Sequence, residues 1–135
     1  MPDKVFIDSN IIIYLYSEDE PDKRERCQQL VRTRKSIIST QVINEVSNVL
    51  YRKMNLTVSE LRAVVDELFK AFTVTLLTQD SIKLALSMLE RYAYSYWDSM
   101  ILASALENSC SILYSEDMQH KQRIEGKLQI VNPFQ

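Results

Sequence analysis

A three-layer α/β/α sandwich, with a central, mostly parallel sheet of four to five strands, is the fold predicted by this 135-residue sequence. Two observations lead there. Short β-rich runs alternate along the chain with longer segments whose apolar residues recur at helical spacing, the pattern of strands joined by crossover helices. No Pro/Gly/Ser-rich linker, repeat or low-complexity tract interrupts the alternation, so residues 1–135 read as one domain. An apolar content of 46% against 25% charged residues is that of a globular chain, able to bury roughly two-thirds of its unfolded surface.

Taken in order, Lys4 to Ile7 reads as a first strand ending at Asp8, and Ser9 or Asn10 caps a helix through Leu15 by satisfying its free N–H groups. Pro21, after Glu18-Asp19-Glu20, starts a second helix running to Arg32, with negative charge at the positive end of its dipole. Ser36 to Ser39 is a second strand, followed by a helix from Thr40 to Arg52. Thr57 and Glu60 form a capping-box pattern. Beyond them Leu61, Val64, Val65, Leu68, Phe69 and Phe72 make the clearest helical stripe, expected to pack on the sheet or a neighbouring helix. Thr73 to Leu77 is a third strand, Gln79 to Tyr92 a helix, and Tyr96 to Asn108 a helix apolar nearly all round and so mostly buried. Ser111 to Tyr114 and an edge strand at Leu128 to Val131 complete the set.

Composition excludes several functions. Gly126 is the only glycine, and glycine-rich phosphate loops need several between a strand and a helix. Cys27 and Cys110 have no metal-ligand spacing and read as free thiols in a reducing compartment. No apolar run approaches the ~20 residues of a membrane span, and Met1-Pro2-Asp3-Lys4 lacks a signal-peptide layout; a cytoplasmic protein is expected. The net charge of -2 leaves nucleic-acid binding open, because a basic patch can coexist with an acidic site.

Four acids lie at the edges of apolar segments, where an unpaired carboxylate is costly: Asp8, Glu45, Asp98 and Asp117. Each has a structural alternative. Asp8 is suited to cap the first helix, unless Ser9 or Asn10 does so. Glu45 falls about 40° outside its helix's apolar stripe, assuming 100° per residue, and reads either as a solvated side chain or as one reaching across a cleft rim. Asp98 sits in a first helical turn, where the dipole favours an acid by ~0.3–1 kcal/mol. Asp117 lies in a loop, and either it or Glu116 is the inward group. Gathered at the carboxyl ends of parallel strands, where such sheets collect functional groups, the four would share a divalent cation.

In the stretches Phe6-Ile7-Asp8-Ser9-Asn10-Ile11, Ser39-Thr40-Gln41-Val42-Ile43-Asn44-Glu45, Tyr96-Trp97-Asp98-Ser99-Met100-Ile101 and Leu113-Tyr114-Ser115-Glu116-Asp117, the sequence resembles the PIN-domain family, specifically the VapC-like toxin ribonucleases. The resemblance extends to Ile130-Val131-Asn132-Pro133-Phe134 and so covers essentially the whole chain. It implies that Asp8, Glu45, Asp98 and Asp117 are the acidic metal and catalytic quartet, that Ser9, Asn10 and Ser115 support them, and that Glu116 is not the inward acid. It further implies a Mg²⁺- or Mn²⁺-dependent endoribonuclease acting on tRNA, rRNA or mRNA, an antitoxin partner and a homodimer. One departure is Lys121, where family members often place Gly after the final motif's histidine, here His120; it leaves a role for His120 open.

Basic residues at 23–26, 32–35 and 52–53 are helix faces or RNA phosphate contacts. Trp97 is expected in the core, while Tyr14 and Tyr16 are open to base stacking. Two other readings compete: a structure-specific DNA nuclease, and a non-catalytic PIN-like module binding RNA or protein. A phosphorylatable receiver-like domain fits worse, because Asp8 is followed by Ser9-Asn10 and no late strand ends in Lys.

Overall fold

The computed structural model describes residues 3–33 and 35–135; Met1 and Pro2, and Arg34 of the basic cluster, lie outside the described residues. The elements run β1 (Val5–Ile7), α1 (Ser9–Tyr14), α2 (Pro21–Thr33), β2 (Ile37–Ser39), α3 (Thr40–Arg52), α4 (Val58–Ala71), β3 (Thr73–Thr75), α5 (Gln79–Arg91), α6 (Tyr96–Glu107), β4 (Ile112–Tyr114), β5 (Arg123–Ile124) and β6 (Leu128–Val131). Val5, Phe6 and Ile7 are all buried. Successive side chains of a strand face opposite sides, so helices must cover both faces of the sheet at β1.

The sheet has the order β3-β2-β1-β4-β6-β5. Its parallel register sets Phe6 beside both Ile37 and Leu113, and Leu113 beside Ile130. Only β5 runs antiparallel, against β6. Two expectations change here. The sheet gains a sixth strand, and Leu128–Val131 lies between β4 and β5 rather than at the edge. The added strand arises because Glu125 and Gly126 both take positive φ, 53° and 66°, and the Lys127 N–H donates to the Ile124 carbonyl. That is the tight turn whose twist matches antiparallel strands.

Short hydroxyl side chains start most of the helices. Ser39, Thr57, Thr78 and Ser95 accept from backbone N–H groups of α3, α4, α5 and α6, with reciprocal capping boxes at Thr57 and Thr78. Of the α4 stripe, Val64, Leu68 and Phe72 are buried, whereas Phe69 points to solvent. Residues Ser99 to Ala105 of α6 are all buried, which plants that helix in the core and leaves its first turn free.

Candidate active site

The chain builds β1, β2 and β3 outward to one side, then returns to place β4 and β6 on the other, so strand order reverses between β1 and β4. Crevices for function form at such a reversal, beyond the strands' carboxyl ends. Asp8 follows β1 and Ser115 follows β4. The two ends are tied by the Asp8 N–H donating to the Tyr114 carbonyl at 3.0 Å.

Asp8 is only 4% exposed. Its Oδ1 accepts from the Ser9 N–H at 2.7 Å. Its Oδ2 accepts from the Ser115 hydroxyl at 2.8 Å and from Asn10 Nδ2 at 3.2 Å. Asp8 itself is therefore the N-cap of α1, not Ser9 or Asn10, because it is the last extended residue before the helix. Capping occupies one oxygen; the other faces the polar side chains of the crevice.

The remaining acids converge on the same place. Burial pushes the Asp8 carboxyl up to about 7, opposed by its Ser115 and Ser9 hydrogen bonds and reinforced by the charges of Glu45 and Asp98. Burial also raises Glu45, against hydrogen bonds from Gln41 and Ser9, with Asp98 adding to the rise. Asp98, half-buried in the first turn of α6, is raised by burial and then by Asp117, while Ser95 lowers it. Asn10 Nδ2 reaches Asp117 Oδ2 at 3.1 Å, so one amide spans Asp8 and Asp117.

The choice between Glu116 and Asp117 is decided by Lys23 and Tyr14. Lys23 Nζ and the Tyr14 hydroxyl each donate to the Glu116 carboxylate at 2.5 Å. Burial opposes ionisation of Glu116, but these two donors outweigh it and hold its carboxyl below the usual range. Lys23 also lies 5.1 Å from the centroids of both Tyr14 and Phe134, which meet edge to face. The Glu116 N–H donates to Asn10 Oδ1 at 3.1 Å, which turns the Asn10 amino group toward the acids. Glu116 thus anchors the loop to Lys23 and Tyr14, and the exposed Asp117 faces Asn10.

On the other flank, Gln41 Nε2 donates to Glu45 Oε2 at 3.4 Å and to the Trp97 carbonyl at 3.1 Å, linking α3 to the start of α6. Trp97 is not in the core as expected; it is 60% exposed, because burial of α6 begins only at Ser99. His120 is half-buried, and its Nδ1 accepts the Asn132 N–H at 2.9 Å. Both cysteines are free and buried. Burial pushes their thiols up to about 12 for Cys27 and about 11 for Cys110, leaving no ready nucleophile there. From sequence, Lys23 and Tyr14 are expected at most as RNA contacts; the roles of Lys23 and Tyr14 on Glu116 and of Gln41 on Trp97 join residues far apart in the chain that no local pattern announces.

These donors suit a hard divalent cation. They are carboxylate, amide and hydroxyl oxygens, and among the described residues neither ion pair, Lys23–Glu116 or Arg91–Glu125, involves one of the four acids. Raised carboxyls without a basic partner leave a charge demand that a cation meets. Among the described residues, no three His, Cys, Asp or Glu side chains are set to enclose a metal ion.

A strand-order reversal lined by acids defines the class, an α/β domain with an acidic crevice. The chain belongs to the PIN domain family, whose model matches residues 5–124. Its fold is shared with a toxin–antitoxin complex from Klebsiella pneumoniae, at 20% identity over 96% of this chain and 98% of that one, with a TM-score of 0.74. It is shared with DNA-bound VapBC from Salmonella typhimurium, at 16% identity over 96% and 97%, TM-score 0.72. It is also shared with VapC20 of Mycobacterium tuberculosis, a Sarcin-Ricin loop cleaving toxin, at 19% identity over 84% and 90%, TM-score 0.70. Among curated protein sequences there is no significant match. No helix of the described residues is long and apolar enough to cross a membrane.

Proposed function

We propose that this protein is a metal-dependent endoribonuclease, the toxin of a toxin–antitoxin pair, with Asp8, Glu45, Asp98 and Asp117 as its acidic quartet. The observation that carries the reading is the buried Asp8, hydrogen-bonded at both oxygens yet raised to about 7 beside Glu45 and Asp98, with no ion pair to it among the described residues. Mg²⁺ or Mn²⁺ at this crevice supplies charge neutralisation on the phosphate and acidifies a water. Asp8 and Asp98 are the direct anchors. Glu45 and Asp117 orient water or a second ion, and Ser9, Asn10 and Ser115 hold the carboxylates in register. The half-buried Glu45 and Asp98 keep negative charge at the mouth of the crevice, so phosphate enters only once that charge is countered.

The toxin assignment draws on the structural neighbours, one a Sarcin-Ricin loop cleaving toxin and two described as toxin–antitoxin or VapBC structures. An antitoxin covering the crevice and a second copy of this chain are the expected partners. For the second copy, support comes from Ile82, Leu86 and Leu89, an exposed apolar stripe on α5, with Leu76 close by in sequence at 70% exposure. A cytoplasmic setting follows from such a role.

The test is cleavage of tRNA, mRNA, rRNA and flap DNA by the purified protein with Mg²⁺, Mn²⁺ or EDTA. RNA cleavage lost in EDTA and in Asp98→Ala is the expected result. Cleavage of flap DNA alone, or activity indifferent to chelation, would overturn the reading.

A further inference from the structure

Beside Glu45 a groove of about 430 Å³ opens between α3 and the start of α6, within the ~300–1,000 Å³ typical of small-ligand clefts. We propose that this groove seats one unpaired nucleobase of a single-stranded RNA, stacked on Trp97 and read by the α3 amides; the proposal rests on the ribonuclease reading above. Four observations carry it.

First, Trp97 lines the groove while 60% exposed, although the next turn of its helix is fully buried. An indole left this far in water contributes little to the core, its one ring contact being with Tyr96 among the described residues. It is also held still. Its carbonyl accepts from Gln41, and its ring meets Tyr96 edge to face at 5.2 Å.

Second, Asn44 and Asn48 line the same groove and lie four residues apart on α3, hence on one helix face. Amides carry both donors and acceptors, which suits a base edge. Third, Gln41, also in the lining, is 6% exposed and its Oε1 is buried without a hydrogen-bond partner. Fourth, the lining holds no lysine or arginine, so it is built for a neutral group rather than a phosphate. Glu45 is shared between groove and acid cluster, which would set the bound base in register with the phosphate at the acids. A second copy of the chain fits this lining less well, since Leu77 is its only aliphatic member.

Trp97 is the only tryptophan, so its emission reports the groove directly. A short unstructured RNA oligonucleotide is titrated into Asp8→Asn protein, in which cleavage is blocked, and steady-state kinetics are run on Trp97→Ala and Trp97→Phe in the otherwise wild-type chain. Expected are saturable quenching of the emission and a KM raised roughly 5- to 150-fold in Trp97→Ala, the loss of one base stack. kcat should stay within about threefold, with partial rescue by Trp97→Phe. Asn48→Ala should reorder preference among homopolymeric A, C, G and U oligonucleotides. Unquenched emission in Asp8→Asn together with an unchanged KM in a Trp97→Ala protein that still cleaves RNA would refute the subsite and leave the ribonuclease reading standing. A Trp97→Ala protein that sediments as a monomer where wild type is a dimer, and regains activity at higher protein concentration, would assign the indole to subunit contact and overturn the proposal. Wild-type protein that cleaves no RNA would sink both readings together.

Discussion

Replacing Asp8 with Asn is predicted to stabilise the metal-free protein above neutral pH and destabilise it in acid. In the folded chain Asp8 holds its proton up to about pH 7, whereas an exposed aspartate releases it near 3.8. Between those values the unfolded state binds fewer protons, so stability falls as pH rises through the window. The two values lie about three pH units apart, at ~1.4 kcal/mol each, which makes the charged carboxylate a burden of ~4 kcal/mol at pH 8. Asparagine removes the charge but turns an amino group toward Ser115 and Asn10, one of which donates to Oδ2 through its own amide. That mismatch costs ~1–3 kcal/mol at any pH. The net expectation is a gain of ~1–3 kcal/mol at pH 8 that turns into a loss near pH 4, with about 3 kcal/mol of the swing between pH 5 and 8. Urea unfolding of both proteins in EDTA across that range measures it. A difference that stays flat with pH, or wild type gaining on the variant as pH rises, would refute the electrostatic account of Asp8. Adding Mg²⁺ should then favour wild type alone, by ~2.7 kcal/mol at a hundred times its Kd.

Two further outcomes are expected. Lys23→Met or Glu116→Ala should lower kcat about 10- to 100-fold with little change in KM, because the loop that carries Asp117 loses its anchor and small misplacements of reacting groups are expensive. Glu116→Gln should recover part of the loss, and Lys23→Met should leave the urea midpoint nearly unchanged, its pair being partly solvent-exposed. Lys121 holds a left-handed backbone at φ 69°, so Lys121→Gly should stabilise the protein by ~0.5–1 kcal/mol, the strain relieved less the added freedom of glycine. A lower urea midpoint in that variant would show that the Lys121 side chain contributes more than its backbone strain takes away.

Much of this architecture was legible in the chain because short-range patterns specify it. Thr57 with Glu60 announced α4, and Thr40 to Arg52 matched α3 end to end. The places where the reading failed share a cause: a tertiary partner overrode a local rule. Glu125 is a poor residue for positive φ, yet its carboxylate pairs with Arg91 and accepts from the Tyr92 hydroxyl at 3.0 Å, while its N–H donates to that hydroxyl at 2.9 Å. The hairpin that makes β5 was therefore invisible without the fold. Trp97 looked like core because its helix is apolar, but hydrophobicity alone does not say where a helix leaves the sheet. The four acids stood out at segment edges, with Asp117 preferred to Glu116 only through the resemblance, whereas the Gln41 contact to Trp97 and the Lys23–Tyr14–Glu116 anchor gave no such signal. Lys121 takes a left-handed backbone at φ 69°, a conformation that glycine adopts without strain.

The capping of α1 does not by itself account for a carboxylate at position 8. Serine, threonine and aspartate cap comparably well, and in this protein Ser39, Thr57, Thr78 and Ser95 cap α3 to α6 with neutral hydroxyls. Only α1, at the strand-order reversal, uses a buried carboxylate for that task. A serine there would satisfy the same N–H without the burial penalty or the repulsion from Glu45 and Asp98 that together raise Asp8 to about 7. The cations of the described ion pairs are used elsewhere, Lys23 on Glu116 and Arg91 on Glu125. On stability alone a neutral cap would be the cheaper choice at this position, so the carboxylate of Asp8 is the feature that the proposed metal-dependent function accounts for and helix capping does not.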